Sequence, residues 1–240
     1  MKKRKVMEND LVPTHISVFD KISFGGFKRN SINLLAGNPG TGKTIFSALF
    51  LINGIKYQNE PGIYITFEEK KENFYKDMLS LGYDMAKYEK QGKFAFLEYT
   101  PEQVRNVLVE GGGVIESMID KIKAKRIVLD SITSFTLLYE DELAKKEAAL
   151  SLFDLINKWD ATALLTSQNE INSDTEVKVS LEFEVDSVVL FYHFRHKGVR
   201  KRAIEILKMR RSDHSEKVFE MDITSKGIVI NPNKIVKFLD

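Results

Sequence analysis

The sequence predicts an α/β fold: a mostly parallel sheet with helices on both faces and an antiparallel extension toward the C-terminus. Three observations predict it. Short apolar, β-branched runs alternate with longer segments of helical period over the first two thirds of the chain. A glycine-rich octapeptide, Gly37-Asn38-Pro39-Gly40-Thr41-Gly42-Lys43-Thr44, lies between the first of these strands and the first long helix. The final third is a succession of strand-like runs separated by turn signals.

Taken in order, the strands are expected at Ile32 to Ala36, Ile63 to Phe67, Phe94 to Leu97, Ile127 to Leu129 and Ala163 to Thr166. Each is a run of β-branched or aromatic residues too short for a buried helix. Helices are expected at Lys43 to Tyr57, Lys71 to Leu81, Gln103 to Lys123 and Asp141 to Trp159, lengths that suit crossovers between parallel strands. Gly111-Gly112-Gly113 interrupts the third of them. No Lys or Ser/Thr follows at the needed spacing, so a helix break fits better than a second phosphate loop. Ser187 to Phe194, Lys201 to Met209, Val218 to Met221 and Ile228 to Ile230 are read as the antiparallel extension, with turns at His196-Lys197-Gly198 and Ser225-Lys226-Gly227. Asn169 to Asp186 is polar, acidic and weakly patterned, the signature of a mobile loop.

The 240 residues suffice for one well-buried domain, and no Ser/Pro/Gly-rich linker divides them. Absence of cysteine excludes disulfides, thiolate metal sites and thiol catalysis, and the four histidines show no metal-ligand spacing. No apolar run approaches about 20 residues, and no apolar stretch follows the basic N-terminus, so a cytoplasmic protein with no membrane contact is expected. A net charge of +2 gives no whole-molecule argument for nucleic acid. Lys2-Lys3-Arg4-Lys5 reads as a solvated arm, with nucleic acid or an acidic partner as the alternative. Arg195 to Arg211 is a second basic stretch, its cations interleaved with apolar residues at strand spacing.

The octapeptide fits G-x-x-x-x-G-K-[ST] in the strand–loop–helix context that this motif requires. Glycines let successive backbone N–H groups converge on one point, and the helix N-terminus adds partial positive charge. Lys43 is then expected on the β and γ phosphates of ATP, and Thr44 on Mg²⁺. Arg126-Ile127-Val128-Leu129-Asp130 is an apolar strand ending in a carboxylate, which puts Asp130 beside the loop as the second Mg²⁺ anchor; a helix cap is the plainer role for such a residue. Glu68 and Glu69 follow the strand ending at Phe67. Either a water-activating carboxylate or an acidic first turn of the next helix accounts for them. Ser167 and Gln168 end the strand begun at Ala163, as a γ-phosphate sensor or as turn residues.

These residues resemble the KaiC-like branch of the RecA-type ATPases. The resemblance is carried by Pro13-Thr14, Phe19-Asp20, Gly25-Gly26, the loop Gly37 to Thr44, Phe50 to Ile55, Tyr64 to Glu69, Leu129 to Ser134 and Ile204 to Arg210. It implies a RecA-like three-layer P-loop core over residues 11–240, preceded by a flexible basic arm at 1–10. It further implies ATP and Mg²⁺ as cofactors, slow hydrolysis, and a homo-oligomer, commonly a hexameric ring, with ATP sites between subunits. Glu68 and Glu69 correspond to the pair that polarises water, and Lys208 and Arg210 to basic residues that reach the neighbouring subunit's γ-phosphate. Arg202 and His214 fall where the family has further residues at the neighbour's nucleotide. Three positions depart from the pattern: Phe24 and Arg211 stand where glycine is usual, and Gln168 is more like the recombinase members. A single domain of this kind carries neither a clock role nor an autokinase role across.

An oligomeric ATPase whose nucleotide state switches its ring or its contacts with an unidentified protein partner is therefore expected. A recombinase-like ATPase that contacts DNA through Thr136 to Lys145 and Asn169 to Asp186 is a second reading, weakened by the acids Asp141, Glu142, Glu170, Asp174, Glu176, Glu182, Glu184 and Asp186. A nucleotide-holding scaffold with negligible turnover is a third, opposed by Glu68, Glu69, Lys208 and Arg210.

Overall fold

The computed structural model describes residues 10–16, 18–110, 113–168, 184–225 and 227–237. The basic arm and most of Asn169 to Asp186 lie outside the described residues. Nine strands form one sheet: β3 (Ile32–Gly37), β4 (Gly62–Thr66), β5 (Phe94–Glu98), β6 (Arg126–Asp130), β7 (Thr162–Gln168), β8 (Ser187–His196), β9 (Val199–Met209), β10 (Phe219–Thr224) and β11 (Gly227–Ile235), in the order β11-β10-β9-β8-β3-β7-β6-β4-β5. A short antiparallel pair, β1 (Leu11–Val12) with β2 (Phe27–Lys28), stands apart. The strands β8, β3, β7, β6, β4 and β5 are parallel to their neighbours, and β8 through β11 are mutually antiparallel. Thus β8, read from sequence as part of the antiparallel extension, joins β3 on its other edge in parallel register. The choice of partner strand is a tertiary property that local patterning does not carry.

Central β3 explains the three layers. Ile32, Leu34 and Ala36 face one apolar cluster and Leu35 the other, as a period of two requires. The first cluster is covered by α5 (Pro101–Glu110), α6 (Gly113–Ile122), α7 (Ile132–Thr136) and α8 (Glu142–Lys158). The second is covered by α1 (Phe19–Ile22), α2 (Lys43–Asn53), α3 (Lys71–Ser80) and α4 (Met85–Lys90), where Phe19, Phe46, Phe50 and Phe74 are fully buried. The expected helix over Gln103 to Lys123 is two helices, α5 and α6, on either side of the glycine run. α8 opens on Asp141, whose carboxylate accepts from the Ala144 N–H at 2.8 Å, so half of Thr136 to Lys145 is helical.

Below α2 the helix widens into a single π turn, Gly54–Gln58. Its cause is Arg126, fully buried at the start of β6. The Arg126 guanidinium donates to Glu60 at 2.7 Å and to the Phe50 carbonyl at 2.9 Å, and stacks over the Phe50 ring. A Cβ at Gly54 would lie 2.4 Å from Arg126 Nε, so only glycine passes there.

Phe24 and Arg211, the two residues standing at family glycines, both adopt left-handed backbone, at φ 53° and 63°. A glycine would be at ease at both places, since a side chain costs about 1–2 kcal/mol in this region. Arg211 is exposed and Phe24 mostly so. Arg211→Gly and Phe24→Gly are each expected to raise stability by about 0.5–1 kcal/mol, net of the added freedom of the unfolded chain. Urea unfolding measures this; a loss of stability would contradict the assigned conformation.

Candidate functional site

The C-terminal ends of β3, β4, β6 and β7 form the rim where an open α/β sheet binds ligands. The octapeptide spans the turn from β3 into α2 at this rim. Gly37 is obligatory because a Cβ would lie 2.3 Å from the Phe191 carbonyl oxygen of β8. Gly40 and Gly42 take φ of 75° and 105°, which opens the loop backbone around a central point. Thr41 closes the loop from within by donating to the Asn38 carbonyl at 2.8 Å. The Lys43 ammonium is turned inward and donates to the carbonyls of Gly37 at 2.7 Å and Asn38 at 3.0 Å. Burial lowers its pKa to about 8, against the pull of Asp130 and Glu68.

Asp130 is where the elements of the site meet. Its Oδ2 accepts from the Thr44 hydroxyl of α2 at 2.9 Å and from the Tyr64 hydroxyl of β4 at 2.5 Å, and its Oδ1 accepts from the Thr166 hydroxyl of β7. Three hydroxyl donors from three elements thus fix one carboxylate. Tyr64 is wholly buried, and burial together with the Asp130 charge holds its phenol far above the ordinary value, so it stays a donor.

Thr66, buried at the end of β4, accepts from the backbone N–H groups of Glu68 and Glu69 at 3.2 and 3.1 Å and turns the chain so that both acids reach the rim. Glu68 is exposed, and its Oε1 accepts from the hydroxyls of Ser134 and, at 3.3 Å, Ser131. Gln168 Nε2 lies 3.5 Å from Glu68 Oε2. Glu69 is half-buried, and burial, then the charges of Asp130 and Asp77, raise its carboxyl to about 7. Below that pH it is protonated and neutral; above it, it is a base of near-neutral strength.

A cavity of about 340 Å³ gathers Pro39, Gly40, Gly42, Lys43, Thr44, Thr66, Glu68, Glu69, Asp130 and Gln168, with Ile45 and Ile223 as apolar lining. Ser167, in contrast, is buried, with its hydroxyl 3.3 Å from that of Thr133. The remaining sequence-nominated residues do not line this cavity. Arg202, near the start of β9, donates to the Gly40 carbonyl of its own chain at 2.9 Å. Lys208 pairs with Val188 in the β8–β9 register, three residues back from Phe191, the partner of Gly37. That is about 10 Å toward the opposite edge of the sheet. Its ammonium donates to the Val185 carbonyl at 2.9 Å. Arg210 follows β9 at that far edge, its N–H donating to the Asp186 carbonyl at 2.8 Å, and His214 Nδ1 lies 3.1 Å from the Ser215 carbonyl.

Sequence reading did not nominate Tyr64, Thr166, Ser131 and Ser134 as site residues. The signal for Tyr64 and Thr166 was parity: counting by two from Asp130's paired partner Thr66 reaches Tyr64, and Thr166 lies level with the same rim.

A phosphate-binding loop at the rim of a RecA-like mixed sheet defines this chain as a nucleotide-binding ATPase domain by class. A family model described as the KaiC ATPase matches residues 12–235, and the chain belongs to that family. A UPF0273 protein of Sulfurisphaera tokodaii is 33% identical over 240 residues, covering 94% of this chain and 84% of that protein. The circadian clock oscillator protein KaiC of Synechococcus elongatus is 33% identical over 226 residues, covering 91% of this chain but 44% of the clock protein. Among solved structures, a KaiC-like protein from Pyrococcus horikoshii OT3 superposes with a TM-score of 0.81 at 33% identity, covering 92% of this chain and 99% of the other.

The hydroxyl set around Asp130 is open to test. Tyr64→Phe is expected to cost about 1.5–3 kcal/mol in urea unfolding, the range for a hydrogen bond to a charged group. Unchanged stability would mean that the carboxylate does not depend on the phenol.

Proposed function

We propose that this chain is an ATP-binding, Mg²⁺-dependent ATPase of slow turnover that works as an oligomeric regulatory switch with active sites shared between subunits. The observation that carries the reading is the convergence of Lys43, Thr44, Asp130, Glu68 and Glu69 on one cavity, while Lys208 and Arg210 sit toward the far edge of the same sheet.

The residues fit the nucleotide and its metal. The two loop carbonyls that hold Lys43 are the partners a polyphosphate would replace, and a phosphate beside Lys43 offsets the burial that weakens its positive charge. Thr44 and Asp130 present adjacent oxygens, the pair suited to Mg²⁺ and its water shell. No group of three or more His, Asp or Glu among the described residues could hold a metal by itself, so phosphate and water complete the shell. Bound Mg²⁺ supplies charge neutralisation on the phosphates.

The chain's own residues do the rest. Loop N–H groups and Lys43 bind and orient the phosphates. The Glu68–Glu69 pair takes a proton from water, with Ser131, Ser134 and Gln168 holding Glu68 in place and Glu69 poised near neutral pH. Lys43 is the one cation that lines the cavity among the described residues, and Arg202 is held on the Gly40 carbonyl outside it. Because Lys208 and Arg210 stand about 10 Å or more from their own loop along the strands, a γ-phosphate that they neutralise belongs to another copy. Hydrolysis is then tied to assembly, and nucleotide state to the contacts between copies.

ATP hydrolysis measured across protein concentrations tests this. Specific activity is expected to rise with concentration. Lys208→Ala alone and Glu68→Ala/Glu69→Ala alone are each expected to fall by at least about a hundredfold, and an equimolar mixture to recover part of the loss. Constant specific activity with no recovery on mixing would place the whole site within one chain; ATP binding without any turnover would make the protein a nucleotide-dependent scaffold.

A further inference from the structure

Beyond the sheet's nucleotide rim, β8 and β9 continue as a two-stranded ribbon. β3 pairs with β8 as far as Phe191, and β10 pairs with β9 no nearer its tip than Arg202, so residues 194–201 pair only with each other. The tip is a two-residue turn, Lys197-Gly198, with both residues at positive φ, the geometry that matches ribbon twist and fixes register. That register sets Arg195 opposite Arg200 and His193 opposite Arg202. Cross-strand partners share a face, and so do residues two apart, so one face of the ribbon carries all four.

The ten residues from His193 to Arg202 contain Arg195, Lys197, Arg200, Lys201 and Arg202 and no acid. At the base of the ribbon and beside it the cations are neutralised: Lys201 and Lys234 both pair with Glu220, at 2.6 and 2.9 Å. Among the described residues no carboxylate lies within ion-pair distance of Arg195, Lys197 or Arg200, all of which are exposed. Partial burial, then Arg202 and Arg200, hold the His193 imidazole below its usual range, so the face's positive potential is felt inside the ribbon. Like charges set directly opposite destabilise a strand pair, and among the described residues no ion pair compensates this one.

We propose that this ribbon is a nucleic-acid-binding element whose Arg195, Lys197 and Arg200 grip the phosphate backbone. Arg200 and Arg202 stand about 7 Å apart along β9, with Arg195 of β8 directly opposite Arg200 and Lys197 at the adjoining turn. A polyanion with regularly spaced charge engages the whole array at once, whereas a folded partner would have to present a matching set of carboxylates. A two-stranded ribbon is also narrow enough for a nucleic-acid groove. Exposed Val199 at the tip adds an apolar contact for sugar or base. The acids in Thr136 to Lys145 and Asn169 to Asp186 argue only against binding through those segments, and the ribbon is a different stretch of the chain.

The test is fluorescence anisotropy with a labelled single strand of about 30 nucleotides and its duplex, without ATP, from about 50 to 200 mM salt. The full chain is compared with Arg195→Gln/Lys197→Gln/Arg200→Gln and with Lys234→Gln as a paired-lysine control. Binding is expected at low salt, with at least tenfold weaker affinity in the triple variant, a log–log salt slope shallower by about 0.7 per lost single-strand contact, and no change in the control. The substituted side chains are exposed, and Arg200→Gln alone serves if the triple variant does not fold. No binding by the unaltered chain, or equal binding by the variant, overturns the proposal. So does a change in oligomeric state at unaltered nucleic-acid affinity, which would assign the ribbon to a second copy of the chain. ATP turnover by the unaltered chain, measured separately, distinguishes failure of this proposal from failure of the ATPase reading.

Discussion

One carboxylate organises the site. Asp130 ends β6 and takes hydroxyl donors from α2, β4 and β7, so the phosphate loop's helix, the strand leading to the glutamate pair and the strand leading to Gln168 are all referenced to it. A partly buried carboxylate is costly unless its lone pairs are filled, and each hydrogen bond to a charged group is worth about 1.5–3 kcal/mol. Those terms make the rim a single rigid unit. Fully buried Tyr64 also ties Asp130 to the aromatic cluster of Phe74 and Phe96 that packs α3 on the sheet.

On the proposed reading, the electrostatics of the rim suit a ligand that is both anionic and metal-bearing. Burial weakens Lys43's hold on its proton and strengthens that of Glu69, each toward neutrality. Polyphosphate restores full charge to the lysine, and a divalent cation at Thr44 and Asp130 lessens the repulsion on the glutamates. In the proposed function, binding and chemistry are linked through groups a few ångströms apart, and the basic residues toward the far edge of the sheet would link one copy to the next. The bare ribbon of β8 and β9 touches the same unit through Arg202 on the Gly40 carbonyl.

Much of this was legible in the sequence, and the reasons differ by residue. The phosphate loop reads off because its chemistry needs fixed types at fixed spacing, and β6 with Asp130 because a uniformly apolar run ending in an acid has few other uses beside such a loop. Family likeness carried the glutamate pair further than patterning did, since an acidic first helical turn fits the same letters. Tyr64 and Thr166 were hidden because each sits inside an apolar strand and reads as core. The π turn at Gly54–Gln58 was hidden because its cause, Arg126, is 72 positions or so away in sequence and in contact only after folding. The parallel pairing of β8 with β3 was hidden for the same reason. Phe24 and Arg211 show the converse: two departures from the family's glycines located left-handed backbone that no local pattern indicates.

The central claim, that Thr44 and Asp130 together form the metal-anchoring end of a nucleotide site, is tested most directly by electron paramagnetic resonance with Mn²⁺ in place of Mg²⁺ and a non-hydrolysable ATP analogue. The account predicts that the unaltered protein immobilises Mn²⁺ only when the analogue is present. In Asp130→Asn, binding of Mn²⁺ is predicted to weaken at least about tenfold, the low end for loss of a group that supports a metal. Equal Mn²⁺ binding by the two proteins, or Mn²⁺ binding indifferent to the analogue, would contradict it.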